Sequence, residues 1–157
     1  MSSTLIGIVL AARLKKRSEF FSSVLTFTKA LEVEIEYSMS DLPSVIIKIS
    51  EEEMCRDLSF LKSCARFLYE GDDFPLAWER AVTECTVYIK GDEKDKLMTM
   101  GLTLGTTNLD GQKKLIGMFT EYFNAYQSKA RQLEEKYYRI YILTGILSGF
   151  GIFILLI

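Results

Sequence analysis

Apolar residues recur at helical spacing along most of this chain. Phe20, Val24, Phe27, Leu31 and Ile35 follow one another in steps of 3 and 4, the signature of one buried helix face. The same rhythm returns in Met54, Leu58, Leu61, Ala65 and Leu68, and again in Phe74, Trp78, Ala81, Cys85 and Tyr88. A shorter stripe runs through Leu97, Met100 and Leu104. A long one follows in Leu115, Phe119, Tyr122, Tyr126, Ala130, Leu133, Tyr137 and Ile140. No useful length of strand-like alternation occurs, so the pattern predicts an all-α bundle of about six helices.

Local signals place the boundaries. Ser40 or Asp41 caps a short helix with Pro43 in its first turn, covering Val45, Ile46 and Ile49. Ser50 and Glu53 have capping-box spacing and predict the start of a third helix that stops at Gly71. Asp73, followed by Pro75, opens a fourth that runs to Gly91, and Asp92 caps a fifth. Gly101 lies inside that fifth stripe, where glycine costs about 1 kcal/mol against alanine, so another helix backbone is expected to approach closely there. Gly105 reads as a C-terminal cap. Asp110 opens the last helix, for which the first helix is the expected antiparallel partner.

The final stretch, Ile140 to Ile157, carries no charge. As a helix it spans about 27 Å, close to a hydrocarbon core. Tyr137, Tyr138 and Tyr141 suit the headgroup level, and Lys136 and Arg139 precede the apolar run. A C-terminal transmembrane helix is therefore expected. Within it Gly145 and Gly149 form a GxxxG with Ser148 beside them, a smooth strip for packing against another membrane helix. Residues 4–12 are also apolar but reach only about 14 Å, and Arg13, Lys15, Lys16 and Arg17 follow them. That charge order is the reverse of a cleaved signal peptide and predicts an interfacial start to the first helix. The organisation is a membrane-proximal segment (1–17), a helical domain (18–139) and an anchor (140–157). Cations at both apolar ends predict a cytoplasmic domain.

Composition narrows the chemistry. The chain has no histidine, which removes the commonest neutral-pH base and zinc ligand. Cys55, Cys64 and Cys85 have no pairing or metal-ligand rhythm and suit a reduced core. Glu32, Glu34 and Glu36 sit on alternate positions that diverge around a helix, so they do not converge on one ion. No strand precedes the glycines at 101 and 105 and no Gly-Lys-Ser/Thr follows, which argues against a phosphate loop. A net charge of −2 leaves no footprint for nucleic acid. The expectation is a non-enzyme with no cofactor, metal or small-molecule substrate.

Four runs carry a resemblance: LEVEIEYSMSDLPSVI (31–46), PLAWERAV (75–82), LMTMGLTLGTTNLDGQKKLIGMF (97–119) and the terminal GILSGFGIFILLI. They resemble the stage III sporulation protein AB family of spore-forming Firmicutes. The shared positions are Leu31, Glu32, Glu34, Ile35 and Tyr37, Trp78, then Gly101, Leu104 and Gly105, and Gln112. Asn108 stands where the resemblance leads one to expect an acidic residue, a capping role that Asp110 is placed to take over. The resemblance implies a fold similar to the cytoplasmic domains of the platform protein of type II secretion and type IV pilus machines. It also implies a non-catalytic assembly role at the mother-cell membrane facing the forespore, in a channel complex that includes a secretion-type ATPase. The competing reading of the same pattern is a tail-anchored tether or adaptor unrelated to secretion.

Overall fold

The computed structural model describes the backbone of residues 2–38, 40–87 and 89–156, and the side chains of residues 11–38, 40–87 and 89–140. Two long helices frame it. Helix α1 (Ser2–Tyr37) runs antiparallel to α6 (Leu109–Leu156), with Phe21 stacked on Phe123 at 6.3 Å and Glu36 ion-paired to Lys113 at 2.8 Å. Between them come α2 (Leu42–Glu51), a 3-10 turn (Glu53–Cys55), α3 (Ser59–Glu70), α4 (Phe74–Thr83) and α5 (Gly91–Thr103). Each short helix packs on the next, and α2 and α5 close the chain back onto α1 and α6 respectively. The described residues contain no strand, so the all-α expectation holds.

The stripe Phe20, Val24, Phe27, Leu31 and Ile35 is buried as the spacing predicts. At the centre of the core sits Trp78, with Phe60 edge-on at 5.4 Å, Phe74 at 5.7 Å and Phe27 at 6.1 Å. Its indole nitrogen donates to the Leu97 carbonyl at 2.9 Å, so the ring buries its apolar area without orphaning its one donor. Gly101 lies against that ring. An added Cβ would come within 2.1 Å of the indole, so the close approach expected at Gly101 is made by a side chain and not by a helix backbone.

Other boundaries move. Ser50 does not cap a third helix: α2 continues through Glu51, and the Ser50 hydroxyl turns inward to donate to the Ile47 carbonyl at 2.7 Å. The following 3-10 turn drives Cys55 and Leu58 into the core and leaves Met54 exposed. The buried stripe of α3 is Phe60, Leu61, Cys64, Ala65 and Phe67, so Leu61 and Ala65 are buried as the spacing predicts. Helix α4 ends at Thr83 and does not reach Gly91, which is instead the first residue of α5. The run Thr83, Thr86 and Val87 is rich in β-branched residues, which weakens continuation. The cap of α5 is a reach-back, with the Lys90 amide donating to Glu93 at 2.8 Å; Asp92 only occupies the first turn. At α6 Asn108 does the capping expected of Asp110, its Oδ1 accepting from the Gly111 amide at 3.0 Å.

The face of α6 toward the bundle matches the predicted seam at Phe119 and Ala130, with Leu115 and Tyr126 half-buried, and departs from it at Tyr122, Tyr137 and Ile140. Ile116, Phe119, Phe123 and Ala130 are buried, whereas Tyr122 is exposed. Apolar residues occupy two adjacent stripes of this helix, and spacing alone does not choose between them. Other predictions stand: Gly71 ends α3 at φ 100°, Gly105 turns after α5 at φ 84°, and Asp73 caps α4 by accepting from Leu76 at 3.2 Å.

Among the described residues no helix is long and apolar enough to cross a membrane. The side chains of 141–157, with Gly145, Ser148 and Gly149, lie outside the described residues, as do those of 4–10.

Candidate interaction surface

At the end of the bundle where α1 finishes and α6 begins, the connections α1–α2 and α5–α6 lie against the start of α4 and leave a cleft of about 550 Å³. The lining follows from the local folding. Pro43 starts α2 just after α1 has ended, so Leu42 and Val45 form one wall, with Ile35 behind them. The positive φ of Gly105 turns the chain between α5 and α6 and brings in Leu104, Thr106 and Leu109. Phe74 and Pro75, at the start of α4, complete the wall.

The polar groups of the cleft are largely committed. Gln112 donates through Nε2 to the Thr107 carbonyl at 3.1 Å, and the Ser38 hydroxyl accepts from the Ser40 amide. Asp41 accepts from the Ser44 hydroxyl at 2.7 Å, and this bond holds its carboxyl below the usual range. Among the described residues it is the one charged group in the lining. Two ion pairs stand nearby, Glu34 with Lys48 at 2.8 Å and Glu36 with Lys113 at 2.8 Å. The Glu36 hydrogen bond pushes the Lys113 ammonium pKa up. Leu102 (43% exposed) and Leu109 (49%) project at the rim, so apolar area borders the opening.

The residues singled out from the sequence divide into two places. Trp78 and Gly101 meet inside the core. Gly105 and Gln112 line the cleft, and Glu34 is tied to Lys48 beside it. Tyr37, at the end of α1, is 80% exposed and outside the lining.

One buried group was missed. Arg17, expected among the cations flanking the apolar start of α1, is only 4% exposed. Its guanidinium grips the buried Glu93 carboxylate, with Nε donating to Oε2 at 3.1 Å and Nη2 to Oε1. The reason is α5: Glu93 sits in its first turn, turned inward by the reach-back to Lys90. A glutamate two residues after Gly91 was the available signal for the cap, but nothing in the run RLKKR distinguishes Arg17 from its neighbours.

Among the described residues no group of His, Cys, Asp or Glu is placed to hold a metal. Burial pushes the Cys64 thiol up to about 12, and burial with help from Glu52 pushes Cys55 up to about 11. Neither supplies a thiolate near neutral pH. What the cleft offers chemically is an apolar seat with one carboxylate, suited to gripping a side chain.

Fold and surface together define the class: an all-α domain built on an antiparallel pair of long helices, with an open cleft at one end. The chain belongs to the stage III sporulation protein AB family, whose model matches residues 1–157, and it is thus a sporulation protein by family. A solved structure of a stage III sporulation protein AB shares the fold, with a TM-score of 0.65 and 21% identity, over 77% of this chain and 98% of that one. No protein of curated function matches the sequence.

Proposed function

We propose that this protein is a non-catalytic, membrane-anchored assembly component of a secretion-like channel complex between mother cell and forespore. The observation that carries the reading is the family match over the whole chain. The architecture supports it: α6 is one helix that begins at the cleft with Leu109 and continues into the uncharged tail. In this reading residues 140–157 cross the mother-cell membrane and the bundle faces the cytoplasm, where the cleft engages other proteins of the complex, a secretion-type ATPase among them.

The test is replacement of the chromosomal copy in a sporulating cell. A chain ending at Arg139 should lose its membrane position and block spore formation. Leu102→Asp with Leu109→Asp should leave folding and membrane position intact, because both side chains are already exposed, yet should lose co-purification with the other channel proteins. Normal spores from both strains would overturn the proposal. Spore formation that needs the tail but tolerates the cleft variant would favour the simple tether.

A further inference from the structure

The two basic stretches of the sequence lie far apart in the chain, but the helix pairing brings them to one level. Phe21 packs against Phe123 and Tyr126. Counting toward the start of α1 and forward along α6 sets Arg13, Lys15 and Lys16 level with Lys129 and Arg131. Lys136 and Arg139 follow on the side of the apolar tail. All seven cations are exposed, and the nearby carboxylates are Glu19, Glu134, Glu135 and Asp92, which acts on Tyr126. Lys15 pairs with Glu19 at 3.8 Å and Arg131 with Glu135 at 3.3 Å. The collar thus holds seven cations against four carboxylates among the described residues.

Inside the collar one face of α6 is hollowed. Gln132, Glu135, Lys136, Arg139 and Ile140 line a depression of about 390 Å³. Lys136 and Arg139 are three residues apart, neighbours on the helix surface and within reach of a single phosphate. The Gln132 amide is a neutral donor one turn below, and Ile140 begins the apolar side. Glu135 is the unfavourable member of the set, but its carboxylate is already engaged by Arg131.

We propose that this depression seats the phosphate of an anionic phospholipid, with Lys136 and Arg139 on the headgroup and Ile140 against the first part of an acyl chain. The proposal rests on the reading of 140–157 as a membrane segment. Depth then decides which cations take part. The headgroup zone is about 5–7 Å thick on each side of the hydrocarbon, and Lys136 lies about 6 Å along α6 from Ile140. Lys136 and Arg139 therefore fall within that zone. Arg131 and the cations of α1 stand farther out and contribute through the field, which fades over about 8 Å.

The full-length chain is reconstituted into vesicles of equal phosphatidylcholine and phosphatidylglycerol, extracted in mild detergent, and its co-purifying lipid measured by mass spectrometry. The phosphatidylglycerol-to-phosphatidylcholine ratio of the co-purifying lipid should rise about thirtyfold above that of the bilayer, roughly 1 kcal/mol for each of the two cations on the headgroup. Lys136→Gln with Arg139→Gln should bring the ratio near that of the bilayer, while Lys136→Arg with Arg139→Lys and the distant Lys62→Gln should preserve it. No enrichment, or enrichment unchanged in the Gln pair, overturns the proposal. Release of the lipid by millimolar inorganic phosphate would mark a site for free anions and overturns it too. Flotation with the vesicles separates the two readings: a chain that floats without enrichment defeats the headgroup site alone, and one that does not float defeats the anchor as well.

Discussion

Gly101 and Trp78 are two positions whose identities explain each other. An alanine at 101 would gain helix propensity worth about 1 kcal/mol, but its methyl would overlap an indole fixed by Phe27, Phe60 and Phe74 and by its bond to Leu97. Overpacking of a filled core costs about 1–3 kcal/mol. Gly101→Ala is therefore expected to lower the melting temperature despite the better helix former, as calorimetry would read. The Arg17–Glu93 pair makes a sharper case, because both groups are buried. Removing one partner strands a charge, so Arg17→Met should cost about 3–5 kcal/mol in denaturant melts. Arg17→Met with Glu93→Leu should recover most of that, short of about 1 kcal/mol for the lost reach-back to Lys90. Equal losses in the single and double variants would contradict a desolvated pair. The thiols supply a pH signature. Cys55 and Cys64 stay protonated in the fold to about 11 and about 12, whereas an unfolded thiol ionises from about pH 9. Their contribution is complete below pH 9 and is lost as pH rises from there toward the folded values. Alkaline unfolding should be blunted in Cys64→Ala, and at pH 8 Cys55 and Cys64 of the native protein should resist iodoacetamide until denaturant is added, whereas the partly exposed Cys85 need not.

At the scale of elements, the start of α6 depends on Asn108, whose side chain closes the first turn. Asn108→Ala should cost about 1 kcal/mol and speed amide exchange in residues 109–112, while Asp110→Asn should do neither to the same degree. These elements also mark how much of the fold was legible. The burial of Phe20 through Ile35, the caps at Asp73 and Gly71 and the turn at Gly105 all follow from local chemistry, and there the sequence suffices. Ser50 misled because capping-box spacing fits a helix interior equally well when the hydroxyl bonds back to its own turn. The seam of α6 holds at Phe119 and Ala130 and fails at Tyr122, which belongs to a second apolar stripe: it is 39% exposed, with Lys96 over its ring at 4.4 Å. The cleft was only half visible. Gly105 and Gln112 were picked out, but Leu42, Phe74 and Leu109 come together solely through the packing of distant segments, and no local spacing encodes that. Arg17 was hidden for the same reason, since its partner lies 76 positions away.

For the whole molecule, the governing fact is that α6 is unbroken over 48 residues. With its tail in a bilayer as proposed, the helix reaches about 46 Å from Ile140 back to Leu109. A glycine-serine insertion between Arg139 and Ile140 should preserve membrane attachment and the stability of the bundle, yet reduce co-purification with the channel proteins. Unchanged co-purification would mean that attachment alone is enough. The geometry behind that expectation is a lever arm. A membrane helix commonly leans by about 20° from the bilayer normal, and a rigid rod of that reach would swing its far end by about 16 Å. Bilayer thickness would thereby become a mechanical input that helps set where the cleft at the far end of the rod meets its neighbours.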